Sequence, residues 1–231
     1  MAETSDQPPV GGQGVVAIIP AFNEYTRLRQ TVEQARPLVD AVVVIDDGSR
    51  EPLAAHLPTL EGLTVLRHSV NLGKGAALTT GLQWATQAGF TIAVLLDADG
   101  QHNPAEIPDL IAPLQQQRAD ITFGVRSFHS GMPLVARVGN IVLTKMVSLL
   151  FHVHVTDTQS GYRALRLAIY ERIAWTSSRY SVETEMIVNV GKQKIAHVEV
   201  PISTIYHDKY KGTTVIDGVR IFMNMIAWRF L

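Results

Sequence analysis

Between Val94 and Gln101 the chain reads V-L-L-D-A-D-G-Q, an apolar run that ends on Asp97-x-Asp99. Two carboxylates one residue apart, with the neutral oxygen of Gln101 two residues on, form a hard-oxygen donor set. Such a set suits Mg²⁺ or Mn²⁺ carrying a diphosphate, because these ions keep open positions for phosphate oxygens. The segment also fits a plain turn, since Asp and Gly are favoured in turns. Two more polar clusters follow apolar runs: Pro20-Ala21-Phe22-Asn23-Glu24 and Asp46-Asp47-Gly48-Ser49. Asp and Ser are also good helix caps. Capping alone, however, does not call for acids after each apolar run.

The elements that must position these clusters alternate between two periodicities. Apolar, β-branched runs predict strands at Val15–Ile19, Ala41–Ile45, Val65–Arg67, Thr91–Leu96, Ile121–Phe123 and His197–Val200. Between them, spacings of three and four predict helices over Thr26–Leu38, Gly75–Ala88, Pro104–Gln117, Leu134–Leu150 and Ser181–Val190. The expected fold is α/β, a Rossmann-like, mostly parallel sheet in a single domain with helices on both faces. A parallel sheet turns the carboxyl ends of its strands toward one crevice, which would bring the three acidic clusters together. A metal at one cluster and hydrogen-bonding groups for a base or ribose at the others would make a nucleotide-diphosphate site.

The chain has 231 residues, 46% of them hydrophobic and 18% charged, with 20 basic against 21 acidic side chains. A near-neutral chain has no general attraction to nucleic acid, so no such partner is expected. The absence of cysteine excludes disulfide scaffolds, thiolate metal sites and cysteine nucleophiles. Residues 1–13 read as a disordered tail with no signal peptide, and no run of 18 apolar residues would span a bilayer. The expected location is cytoplasmic.

Asn71-Leu72-Gly73-Lys74-Gly75 opens a predicted helix whose N–H groups can cradle an anion. It is not a P-loop, because Gly75 rather than Ser or Thr follows Lys74, and no G-x-G-x-x-G follows the first strand. Kinase, ATPase and dehydrogenase readings fall with these motifs. His152-Val153-His154 alternates like a strand but lacks a third ligand for a metal. Glu183 and Glu185 open a helix, where acids favour the dipole; an acceptor-site role is the alternative. His102 is either an outer ligand or a polar residue leading into a helix.

In order along the chain, I-I-P-A-F-N-E, V-I-D-D-G-S, N-L-G-K-G-A-A, L-D-A-D-G-Q-H, F-G-V-R and D-T-Q-S-G-Y-R resemble the family 2 glycosyltransferases of GT-A fold. Within that family the sequence is most similar to dolichyl- and polyprenyl-phosphate sugar transferases, over about residues 14 to 210. The resemblance implies an inverting transfer from a UDP- or GDP-sugar to a lipid phosphate. It implies that Pro20, Phe22, Glu24, Ile45 and Asp47 hold the nucleoside. Asp97, Ala98 and Asp99 would touch the nucleotide-sugar, with Asp99 and Gln101 as ligands of Mg²⁺ or Mn²⁺. Arg126 would meet the donor diphosphate or the acceptor phosphate, and Asp157–Arg163, including Ser160, would form the acceptor-side loop. Relatives often carry R-x-x-G-x-S-K late in the domain; here Y-H-D-K-Y-K-G-T-T makes His207, Lys209 and Lys211 the nearest substitutes.

A lipid phosphate is mostly dianionic at neutral pH and needs cationic positioning more than a base. A saccharide hydroxyl would need its proton removed, and Asp157 is the candidate base for that alternative. A nucleotidyltransferase would also place acids and a metal at a sheet edge, but such enzymes usually carry a glycine- and arginine-rich first loop. The domain boundaries expected are 14–212 for the catalytic unit and 213–231 for an amphipathic C-terminal helix. That helix carries Arg220, Trp228, Arg229 and Phe230, and suits either peripheral contact with the cytoplasmic membrane face or packing, including a homodimer contact.

Overall fold

The computed structural model describes residues 14–126, 144–177, 181–203 and 205. The expected N-terminal tail, most of the helix predicted from Leu134, and His207, Lys209, Lys211 and the C-terminal helix lie outside these residues.

The chain forms one α/β domain around a seven-stranded sheet of order β3-β2-β1-β4-β6-β5-β7. The strands are β1 (Val15–Ala21), β2 (Ala41–Asp46), β3 (Leu63–Arg67), β4 (Ile92–Leu95), β5 (Ile121–Arg126), β6 (Arg163–Arg166) and β7 (His197–Ile202). The helices are α1 (Thr26–Ala35), α2 (Lys74–Gln87), α3 (Ile107–Gln115), α4 (144–151), α5 (Tyr170–Ile173) and α6 (Val182–Lys192). All pairings are parallel except those of β6, which runs antiparallel to both β4 and β5.

Period-2 alternation divides each central strand between two cores. In β1, Val16 and Ile18 face the core that holds Leu78 and Leu82 of α2, Phe151 of α4 and Met186 of α6. Val15, Ala17 and Ile19 face the core that holds Leu28 and Val32 of α1 and Leu110 and Leu114 of α3. With both faces covered, β1, β2 and β4 read as unbroken hydrophobic runs, which is why their positions were plain in the sequence. Helix α2 lies so close to β1 that a Cβ on Gly81 would stand 2.5 Å from Ile18 Cγ2.

Two strands run past their expected ends, each through a proline. Strand β1 continues through Pro20 to Ala21, and β7 through Pro201 to Ile202. Leu96 N–H donates to Ile18 O, so Ile18 and Pro20 turn their main-chain groups toward β4, whose pairing with β1 stops at Leu95. The missing N–H of Pro20 therefore leaves no ladder bond unmade. Pro201 lies in an edge strand, where proline is tolerated. Strand β6 was not foreseen. R-A-L-R is short and has a charge at each end, so it carries no period-2 signal.

Candidate active site

The strand order reverses between β1 and β4: the chain first builds outward through β2 and β3, then returns to the other side of β1. Open α/β sheets bind ligands outside the carboxyl ends of strands at such a switch point. Here those ends carry Pro20–Glu24 and Asp97–Gln101, with Asp46–Ser49 one strand away.

The first two loops are tied together through polar side chains. Asn23 has a φ of 54°, a left-handed conformation that Asn tolerates better than most residues. There its N–H donates to Ser49 Oγ at 2.9 Å, and its Oδ1 accepts from Arg50 N–H at 2.9 Å. Asp46 accepts from the N–H groups of Ser49 (2.8 Å) and Leu53 (3.1 Å) and pairs with Arg67 at 3.1 Å. Asp47 accepts from Leu72 N–H at 2.9 Å and Gly73 N–H at 2.8 Å, and meets His68 Nδ1 at 2.8 Å. Asp47 thus fixes the N-L-G-K-G turn from which α2 departs. Gly48 (φ 74°) packs against the main chain of Val70 and Asn71, leaving no room for a side chain.

Asp97 and Asp99 have different surroundings. Asp97 Oδ1 lies 2.5 Å from Lys74 Nζ, and the same ammonium lies 2.7 Å from Glu183 Oε1. Burial works against the charge of Lys74, but the two carboxylates outweigh it and raise its pKa, so the ammonium persists. Burial raises and Lys74 lowers the Asp97 carboxyl, which ends below its usual range. Asp99 accepts only a 3.0 Å bond from Gln101 N–H among its hydrogen bonds to described residues. Burial, then the charge of Asp97, push its carboxyl above the usual range. His102 Nδ1 accepts from Asp97 N–H at 3.0 Å, and its ring stacks on Tyr162 at 4.8 Å. Burial lowers the pKa of this imidazole, which leaves it neutral at pH 7.

The other wall comes from β5 and the loop before β6. Arg126, the last residue of β5, donates to Asp157 through Nε at 2.6 Å and a second guanidinium nitrogen at 2.9 Å. This is a bidentate, charge-assisted pair around a carboxylate that is 1% exposed. Burial raises and the Arg126 contacts lower the Asp157 carboxyl, and the net direction is down. Arg163 is also 1% exposed: it donates to the carbonyls of Ser160, Glu183 and Thr158 and lies over the Phe123 ring at 5.1 Å. Beyond β7, Ser203 donates to Glu106, and Ile205 N–H donates to Gln101 O at 3.1 Å. The chain therefore passes beside the D-A-D-G-Q loop at Ile205.

Residues 16–174 match the family described as Glycosyl transferase family 2. The chain belongs to glycosyltransferase family 2. This glycosyltransferase is 31% identical to the UDP-N-acetylglucosamine–dolichyl-phosphate N-acetylglucosaminyltransferase of Methanococcus voltae, over 92% of its own length and 94% of that protein. It is 28% identical to the undecaprenyl-phosphate mannosyltransferase of Micrococcus luteus, covering 93% of each chain. Among solved structures, the glucosyl-3-phosphoglycerate synthase of Mycobacterium tuberculosis, in complex with Mn²⁺, UDP and phosphoglyceric acid, superposes with a TM-score of 0.74. That match covers 94% of the glycosyltransferase and 79% of the synthase at 19% identity, and it shows a shared GT-A-like fold.

The expected site residues of the glycosyltransferase fall into distinct groups. Pro20, Phe22 and Glu24 reach the crevice rim, and Phe22 is 50% exposed. Ile45 is instead wholly buried in the core beneath α2, and Ala98 is buried as well. Asp47 binds the neighbouring loop, Ser160 is buried in the loop before β6, and Arg163 is buried at the start of β6. Lys209 lies outside the described residues. His154 meets Ser148 at 3.1 Å, and no three metal-ligating side chains converge among the described residues. The Asp99 region still fits a divalent cation, because two crowded carboxylates, one with a raised pKa, gain from added positive charge. Sequence reading weighed the Lys74 motif only as an anion cradle and Glu183 as a helix-dipole or acceptor-site acid, and missed their pairing, because the two lie 109 positions apart in distinct helices.

Proposed function

We propose that this glycosyltransferase moves a sugar from a UDP- or GDP-sugar to a polyprenyl or dolichyl phosphate, with inversion at the anomeric carbon. The observation that carries this reading is the state of Asp157. Both of its oxygens are engaged by Arg126, and its carboxyl is held below the usual range. A carboxylate so held is a poor proton acceptor, whereas a hydroxyl acceptor would require a good one. A phosphate acceptor has no such need, because it is mostly dianionic at neutral pH. Relatives that match more than nine-tenths of the chain, and are named for dolichyl and undecaprenyl phosphate, support the same acceptor class.

In this reading Pro20, Phe22 and Glu24 bound the nucleoside. Asp99 and Gln101 would hold Mg²⁺ or Mn²⁺, which supplies positive charge against the departing diphosphate when bound. Arg126, aimed by Asp157, meets the diphosphate or the acceptor phosphate, and a fixed guanidinium needs little reorganisation as charge develops. Lys209 follows four positions after Ile205, the residue bonded to the D-A-D-G-Q loop, and supplies a further cation for the phosphates. No helix among the described residues is long and apolar enough to cross a membrane. Contact with a lipid surface then falls to the segment from 213 to 231.

A panel of UDP- and GDP-sugars with Mn²⁺ and short polyprenyl phosphates, embedded in anionic vesicles, tests the reading. The expected product has the mass of one lipid phosphate plus one sugar, formed by protein that co-sediments with the vesicles. Transfer only to free saccharides would move the reading to the hydroxyl-acceptor alternative.

A further inference from the structure

Lys74 is the meeting point of four segments distant in sequence. Its ammonium stands at the start of α2, 2.5 Å from Asp97 after β4 and 2.7 Å from Glu183 on α6. Above it lies Gly161, where an added Cβ would come within 2.8 Å of Nζ and 3.1 Å of Asp97 Oδ2. The space over this pair is therefore kept clear by a residue of the acceptor-side loop. A small cavity beside the cluster is lined by Leu78, Leu95 and Met186 as well as Lys74 and Glu183. Apolar walls lower the local dielectric and strengthen the coupling between these charges.

Lys74 pairs directly with the D-A-D-G-Q loop at Asp97, and Glu183 is tied to that loop through the same ammonium. One cation shared by two carboxylates lends each only part of its charge. We propose that Lys74 and Glu183 are positioning residues that set the net charge, and so the divalent-cation affinity, of the Asp97–Asp99 loop. This inference rests on the metal reading given above. Glu183 draws the ammonium partly away from Asp97, leaving enough negative charge for a cation to bind at Asp99. Lys74 keeps that charge from growing so large that the cation, or the product diphosphate that it holds, is retained.

The charge count gives an ordered outcome. With Asp97, Asp99, Glu183 and Lys74 ionised, neutralising Lys74 makes the cluster one unit more negative, and neutralising Glu183 makes it one unit less so. Lys74→Gln should tighten Mn²⁺ binding and Glu183→Gln should weaken it, each by roughly tenfold at low salt. The double variant Lys74→Gln/Glu183→Gln should return to near the wild-type affinity while turnover stays low, because Asp97 has lost its anchor. The measurement is a titration with Mn²⁺ alone, and again with UDP or GDP, read from the free-ion EPR signal, with thermal melts run beside it. If Lys74→Gln does not fold because two carboxylates are left unpaired, Glu183→Gln and the double variant still decide. Equal Mn²⁺ affinity across the series, or a double variant weaker than Glu183→Gln, would overturn the inference. A wild-type chain that binds no Mn²⁺ under any of these conditions would instead remove the metal reading, and this inference with it.

Discussion

Two acidic pairs end strands of the same sheet and look alike in sequence: Asp46-Asp47 after β2 and Asp97-x-Asp99 after β4. Their environments are opposite. The first pair is 0% and 3% exposed, and its oxygens are met by main-chain N–H groups, Arg67 and His68. The second is half-buried, with one member held by a lysine and the other by a single N–H of its own turn. A carboxylate whose lone pairs are met by main-chain N–H groups stabilises a loop. One that is left under-coordinated beside another negative charge costs stability, and a bound cation offsets that cost. The carboxylates after β2 thus tie their loops together, and under the proposed function those after β4 would meet the cation.

The largest contrast should come from Asp99. Asp99→Ala is expected to lower turnover by about 10²- to 10³-fold, the usual effect of removing a group that stabilises developing charge. Its melting should stay within about 1 kcal/mol of wild type, because a single turn hydrogen bond is lost. Near-normal Mn²⁺-dependent transfer by this variant would sink the assignment of Asp99 to the metal. Asp47→Ala should do the reverse. It leaves Leu72 N–H and Gly73 N–H without their acceptor, and the expected cost is about 3 kcal/mol in denaturant unfolding. If Asp47→Ala melted like wild type, the division between scaffold and chemistry would be lost.

How far the sequence revealed this division depended on the range of the interactions. Strands β1, β2 and β4 were legible because both faces are buried, and the acids at their ends could be read directly. That Pro20–Glu24 and Asp97–Gln101 end neighbouring strands at one sheet edge was legible, because a parallel sheet gathers strand ends. Nothing local told Asp47 from Asp99, since the difference lies in donors 25 and 26 residues away. The burial of Arg163 was equally hidden. Arg163 belongs to β6, which carries no periodic signal. The Lys74–Glu183 pair spans α2 and α6, and no spacing rule joins them.

The smallest expected effect separates two carboxylates by the sign of their pH dependence. Asp157 titrates below the unfolded-state value of about 3.9 because Arg126 outweighs its burial. The stability it contributes is present above that value and is lost as pH falls through the lower, folded-state pKa. Asp99 titrates above the unfolded-state value, owing to burial and then to Asp97. The stability it contributes is fully present below about 3.9 and is lost as pH rises through its raised, folded-state pKa. At pH 7 without metal, Asp157→Asn should therefore melt lower than wild type, and Asp99→Asn should melt equal to it or up to about 1 kcal/mol higher. Near pH 3 the penalty of Asp157→Asn should shrink, because the wild-type carboxylate begins to protonate. Added Mn²⁺ should raise the melting temperature of wild type and of Asp157→Asn, but not of Asp99→Asn, since a ligand stabilises only a state that binds it. Melts from pH 3 to 7, with and without Mn²⁺, measure all three. If Asp99→Asn melted well below wild type at pH 7, Asp99 would belong with Asp47 as scaffold.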